Sequence, residues 1–309
     1  MAGTKKTTKT TRSKKQHTPD YYPVQRSFPL GVTNAAGGVI AGTNVADAGR
    51  LMSQANRRLY RYGMNYQIKL DLDVSSAVNA QFDVEVYALR NTWDVQRAFA
   101  LAKSAYDEAI AHELKAAGGS SARWLDFRVL DGVTNGVAIH PVGIDNASLA
   151  LDVIDDGEHQ PSIVDKAGVG TNFTWGLANS TRIDIKNEWI ESGQTSNDPA
   201  TFSTTAPYQD LNAEDMSNIE MEGINDRGNA PPYNSQADND MLTLVATLRY
   251  SPATIKDGLQ RLSTGFFDAP CGLFVLKTTS GINLGNGSVH FTAKSGDYKG
   301  ISAQKMCQE

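Results

Sequence analysis

The imidazoles of this chain are His17, His112, His140, His159 and His290, and no two form a His-x-His or His-x3-His pair able to grip a metal. Sandwich enzymes that hold a metal on clustered imidazoles are therefore a poor fit. His290 stands between Val289 and Phe291. On a strand its ring faces away from both, so a surface or hydrogen-bonded structural histidine is expected. The two thiols, Cys271 and Cys307, match no zinc spacing and cannot build a disulfide framework. Cys271 opens the apolar run Cys271-Gly-Leu-Phe-Val-Leu276 and is expected as a buried strand residue. There is no Gly-x-Ser-x-Gly elbow and no Walker-type loop, and Gly37-Gly38 and Gly168-Val-Gly170 read as turns. Carboxylates gather at Asp152, Asp155, Asp156 and Glu158, and again at Asp210, Glu214, Asp215, Glu220, Glu222 and Asp226. Neither group has EF-hand spacing, so both read as solvated acidic loops, and calcium at an interface has no pattern behind it. No catalytic residue, metal site or cofactor is assigned, and the chain is not read as an enzyme.

Basic side chains carry more information. Lys5, Lys6, Lys9, Arg12, Lys14 and Lys15 are spaced by Thr and Ser in a stretch with scarcely an apolar group after Met1. Such a segment buries too little surface to offset its ordering entropy, so residues 1–20 are expected to be a disordered arm. Each cation can meet a phosphate without needing any particular base, and counterion release supplies the affinity. A second group, Arg50, Arg57, Arg58 and Arg61, has Tyr60 and Tyr62 among it. It offers fixed phosphate contacts and base stacking where order begins, or simply a solvated helix face. A nuclear-import signal or attraction to acidic lipid would use the same arm. The charge distribution favours nucleic acid: residues 1–62 carry eleven basic and two acidic side chains, net +9, whereas the remainder carries −14. An acidic body repels polyanions everywhere except on one side.

The elements that must position these groups are mostly strands. Met64, Tyr66, Ile68, Leu70, Leu72 and Val74 alternate with polar residues, as do Phe82, Val84, Val86 and Ala88. The two runs are expected to pair as a hairpin with Lys69 opposite Asp83. Helices are predicted over Asn44 to Tyr60, with Asn44 as cap, and from Thr92 to Ala117, where Val95, Ala98, Phe99, Ala102, Ala105, Tyr106, Ala109, Ile110 and Leu114 form one stripe. Further strands are expected at Trp124 to Leu130, Ser148 to Ile154, Phe173 to Leu177, Arg182 to Trp189, Met241 to Tyr250, Cys271 to Lys277 and Val289 to Ala293, with another near Tyr21. That rhythm points to an antiparallel sandwich or barrel with one or two inserted helices. Glu191 to Asn239 is long and polar, and reads as a surface excursion. No apolar run is long enough to span a bilayer, and no signal-peptide stretch opens the chain, which argues against an integral membrane protein and against conventional secretion.

A basic arm ahead of a sandwich with an inserted helix resembles the single jelly-roll capsid proteins of small icosahedral viruses. The resemblance is carried by Asn56-Arg-Arg-Leu-Tyr-Arg61, Tyr66-Gln-Ile-Lys-Leu-Asp71, Val84-Glu-Val-Tyr-Ala-Leu89, the helix from Thr92-Trp93, and Ala122-Arg-Trp-Leu-Asp-Phe-Arg-Val129. These segments are most like capsid sequences of small circular single-stranded DNA viruses from aquatic samples. The likeness spans about Asn56 to Val129, with Ala269-Pro-Cys-Gly-Leu-Phe274 beyond it. It implies a mainly β chain, with an antiparallel eight-stranded jelly-roll shell domain over residues 21–309. It implies a virion protein whose partners are copies of itself and a single-stranded genome, DNA more than RNA, and no catalytic centre. Two rival readings stand beside it: a capsid protein of a membrane-lined particle with the arm on lipid, and a β-sandwich carbohydrate-binding module or hydrolase with an incidental basic tail.

Overall fold

The computed structural model describes residues 23–31, 39–40, 42–75, 80–116, 125–131, 137–141, 161–166, 169–176, 181–194, 241–252, 259–278, 282–283 and 288–306. The arm with Lys5, Lys6, Lys9, Arg12, Lys14 and Lys15, the strand expected at Ser148 to Ile154, and the excursion beyond residue 194 lie outside them. In chain order the described elements are β1 (Ser27–Gly31), β2 (Val39–Ile40), β3 (Thr43–Asp47), α1 (Ala48–Asn56), β4 (Met64–Ser75), β5 (Phe82–Leu89), α2 (Trp93–Ala116), β6 (Val137–Ala138), β7 (His140–Pro141) and β8 (Ile163–Lys166). Then follow β9 (Val169–Thr174), β10 (Arg182–Asp184), α3 (Ile185–Gln194), β11 (Leu242–Tyr250), β12 (Leu259–Pro270), β13 (Leu273–Lys277), β14 (Ile282–Asn283), β15 (Ser288–Ala293) and β16 (Ala303–Lys305). Among the described residues no helix is long and apolar enough to cross a membrane.

The chain is mainly β, and its two large sheets form a sandwich. The first runs β12-β4-β15-β1-β7, with β16 continuing along the β4 edge, and the second runs β11-β5-β13-β3-β6. All neighbours in these sheets are antiparallel except β3 and β6. Between the sheets lies a core to which β4 gives Tyr66, Ile68, Leu70, Leu72 and Val74, β5 gives Val84 and Val86, and β13 gives Phe274 and Leu276. The alternation read from β4 is the pleat of a strand with one apolar face. The unbroken run Leu273-Phe-Val-Leu276 has a different cause, because β13 is buried on both faces. Leu273 and Val275 enter a second core on the outside of the second sheet, under Val95, Phe99, Ala102 and Tyr106 of α2. A three-stranded sheet, β10-β9-β8, supplies Phe173 to that second core.

Several sequence expectations are corrected. The hairpin of β4 with β5 does not exist, since the two strands belong to opposite sheets and their apolar faces meet across the core. Alternation reveals that a strand has a greasy side, not whether two such sides lie next to or across from each other. Asp83 is opposite Arg249 of β11 and makes a two-pronged ion pair with it at 2.9 Å, while Lys69 pairs with Asp71 on its own strand at 2.7 Å. The first helix begins four residues later than expected. Asp47, not Asn44, is its cap, accepting from the N–H groups of Gly49 and Arg50 at 2.7 and 3.2 Å, and Asn44 lies buried in β3. Only the first part of Arg182 to Trp189 is strand, because Asp184 accepts from Lys186 N–H at 3.0 Å and starts α3.

Of the strand expected at Trp124 to Leu130, only Leu130 makes a bridge among the described residues, to Thr174 of β9; the backbone of Arg128 goes instead to Ser162, whose Oγ accepts from Arg128 N–H at 2.9 Å and whose N–H meets the Arg128 carbonyl. Cys271 is fully buried, as expected, but in a left-handed turn (φ 55°) before β13 rather than in it. The α2 stripe is narrower than its spacing suggests, with Ala105 and Ala109 exposed. His290 is half-exposed between buried neighbours and hydrogen-bonds Ser288 Oγ at 2.8 Å.

Candidate nucleic-acid interface

Where α1 ends, the chain turns back through a left-handed residue, Arg57 (φ 49°), whose N–H returns to the Ser53 carbonyl. Ser53 Oγ takes the Tyr60 N–H at 2.8 Å, which fixes the path of 57–60. Arg57 and Arg58 are consequently held on the outside. Tyr60, 1% exposed, drops into the core, and its hydroxyl donates to the carbonyl of Lys299 at 3.1 Å. Lys299, itself left-handed (φ 51°), donates from Nζ to the Leu59 carbonyl and lies over the rings of Tyr298 and Tyr60, 5.2 and 5.7 Å from their centroids. The Tyr298 hydroxyl in turn accepts from Arg61 N–H at 3.1 Å. Two segments far apart in the chain are thus stitched into one surface bearing Arg57, Arg58, Arg61 and Lys299.

The local electrostatics are those of cations held close together. Partial burial lowers the Lys299 pKa, and the nearby Arg58 and Arg61 lower it further, with Asp126 opposing. That carboxylate is already engaged by Arg61 Nη1 at 3.2 Å and by the Tyr62 N–H at 2.7 Å. Repulsion of this kind is relieved by a counter-anion. Arg61 also rims a cleft of about 390 Å3 lined by Phe99, Tyr106, Phe127, Met64, Met306 and Lys305, among others. Arg26 reaches the same neighbourhood, since its charge is felt by Tyr60.

The start of the described chain lies near this cluster. Gln25 N–H donates to Asn56 Oδ1 at 2.7 Å, and Asn56 Nδ2 donates back to the Gln25 carbonyl at 3.1 Å. Gln25, near the start of the described residues, is therefore tied next to Arg57 and Arg58.

Of the residues expected from sequence, Arg57, Arg58 and Arg61 come together and Arg50 does not. Arg50 is in the first turn of α1, about 10 Å along the helix axis from Arg57, and is half-buried among Asp47 and Arg128. Base stacking on Tyr60 and Tyr62 is overturned, because the two are only 1% and 3% exposed. Sequence reasoning missed Lys299, Tyr298, Arg26 and Asn56. For Lys299 nothing local could have found it, as its partners stand some 240 positions earlier. Among the described residues no three His, Cys, Asp or Glu side chains converge as metal ligands. Comparison of the chain with protein-family models, with curated proteins and with solved structures finds no match.

Proposed function

We propose that this chain is a structural capsid protein: a jelly-roll shell subunit that assembles with copies of itself and packages single-stranded nucleic acid through its basic arm and the cluster at the arm's root. The observation that carries the reading is the pairing order of the eight principal strands. In one sheet β1-β15-β4-β12 are neighbours, and in the other β3-β13-β5-β11. Followed along the chain, these strands visit the sheets in the order first, second, first, second, second, first, second, first. That order supports the reading as an eight-stranded, double Greek-key jelly roll, with the remaining strands as additions at the edges. The fold also serves lectins and cupins, so function has to rest on further features. Two support packaging: residues 1–20 are rich in lysine and arginine, and Arg57, Arg58, Arg61 and Lys299 add positive charge on the fold near Gln25, to which that segment leads.

Expression of the full chain followed by electron microscopy and nuclease protection tests the proposal. Closed shells containing protected nucleic acid are expected. Removal of residues 1–19 is expected to leave a folded protein whose shells are empty. A monodisperse monomer under all assembly conditions, or full-density particles from the truncated chain, rules out the corresponding half of the proposal.

A further inference from the structure

Arg128 is 4% exposed, and its guanidinium Nη1 donates to Asp47 Oδ2 at 2.8 Å. Nε and Nη2 are buried and have no hydrogen-bond partner among the described residues, and the buried Nε of Arg50 has none among them either. The Nε and Nη2 hydrogens of an arginine point the same way and form the edge that grips two oxygens of one anion. Asp47 cannot serve that edge, because it already accepts from Arg128 Nη1 and from the N–H groups of Gly49 and Arg50. Counting Arg50, Arg128 and Asp47, the site holds one more positive charge than negative, and the amino end of α1 adds to the excess. Burial lowers the Arg50 pKa and Arg128 lowers it further, with Asp47 opposing, which marks the same uncompensated field. Buried donors left empty at a guanidinium are costly, so this edge calls for an oxyanion.

We propose that the Nε and Nη2 edge of Arg128, with Nε of Arg50 beside it, binds a small tetrahedral oxyanion, phosphate or sulfate, at the amino end of α1. The occupant is small because the Arg128 and Asp47 side chains are 5% and 14% exposed, which leaves no approach for a polymer backbone. The ion ties α1 and β3 to the segment around Arg128, so it stabilises the fold rather than the packaging surface. This assignment stands whether or not the chain forms shells.

Thermal unfolding of the full chain in phosphate and in chloride of equal ionic strength tests it. Ligand that binds only the native state raises stability with concentration, so in the saturating range each tenfold rise in phosphate raises the folded-to-unfolded ratio about tenfold. Arg128→Lys keeps a cation for Asp47 but lacks the two-pronged edge, and is expected to lose the phosphate response. Arg50→Gln perturbs folding less and is expected to weaken the response about tenfold. Arg58→Gln, in the surface cluster, is expected to respond like the unaltered chain. Equal melting in phosphate and chloride overturns the site, as does a full response in both Arg128→Lys and Arg50→Gln, or its loss in Arg58→Gln. Stability that climbs with protein concentration and not with phosphate also overturns it, since a neighbouring copy's carboxylate then fills the edge.

Discussion

Asp47 is where three separate demands meet. Its Oδ1 caps α1, its Oδ2 pairs with buried Arg128, and Gly272 presses so close that an added Cβ would lie 2.8 Å from Oδ1 and 2.9 Å from the Ala48 nitrogen. Asp47→Asn keeps a competent cap but leaves a buried guanidinium without its counter-charge. A loss of about 3 kcal/mol is expected in denaturant unfolding, well beyond the roughly 1 kcal/mol of a cap alone. Gly272 has φ 72° as well as the close contacts, so Gly272→Ala is expected to cost about 2 kcal/mol or more, read as a lower denaturant midpoint at unchanged slope. Lys299 gives a different signature. Its pKa is lowered in the free protein by burial and by its cationic neighbours, and a bound phosphate raises it. Binding of single-stranded DNA should therefore take up protons at alkaline pH and weaken as pH rises, and Lys299→Met should remove that dependence in titrations run in buffers of different ionisation enthalpy.

Strand β4 shows how an element divides its work between two faces. Its inner side builds the core, while Lys69, Asp71 and Asp73 line the outer side, where Arg261 of β12 grips Asp73 through two bonds of 2.7 and 2.8 Å. The arginine bonds, foremost, hold the Asp73 pKa below the ordinary carboxylate range. A carboxyl with a depressed folded pKa adds stability above its unfolded value, near pH 3.9, and loses that contribution as pH falls through the folded value. Asp73→Asn should therefore destabilise at neutral pH and make acid unfolding below about pH 4 less steep. Because the Arg261 side chain is 63% exposed, solvent screening limits the neutral-pH effect to under about 1 kcal/mol. β12 itself escaped the sequence reading for a local reason. Its pattern slips at a bulge between Ser263 and Phe266, around Gly265 (φ 71°), and Thr264 Oγ1 takes up the Leu70 N–H that the ladder leaves open.

At the scale of the molecule, a chain of net −5 gathers positive charge in one place. The positive charge that residues 23–62 contribute is not spread over the fold, because three of their five arginines, Arg57, Arg58 and Arg61, meet just past the end of α1, near Gln25. Each cation that neutralises a phosphate of a single strand steepens the salt dependence by about 0.7 in the log–log slope, so deleting the six arm cations should flatten it by about 4. Arg58→Gln together with Lys299→Gln should flatten it by a further unit or so, and filter-binding across salt concentrations measures both. The sequence by itself determined what depends on neighbours in the chain: the apolar faces of β4 and β5, the long amphipathic α2, and the positions of the basic residues. Those features are written in periods of two and 3.6 and in local charge, which any window reveals. Tertiary structure alone decided which sheet each strand joined, that Tyr60 and Tyr62 serve the core rather than a ligand, that Arg50 turns toward Asp47, and that Lys299 completes the cluster. These outcomes follow from competition among all the apolar faces for burial in a shared core, and from hydrogen bonds between groups some 240 residues apart, which no local pattern records.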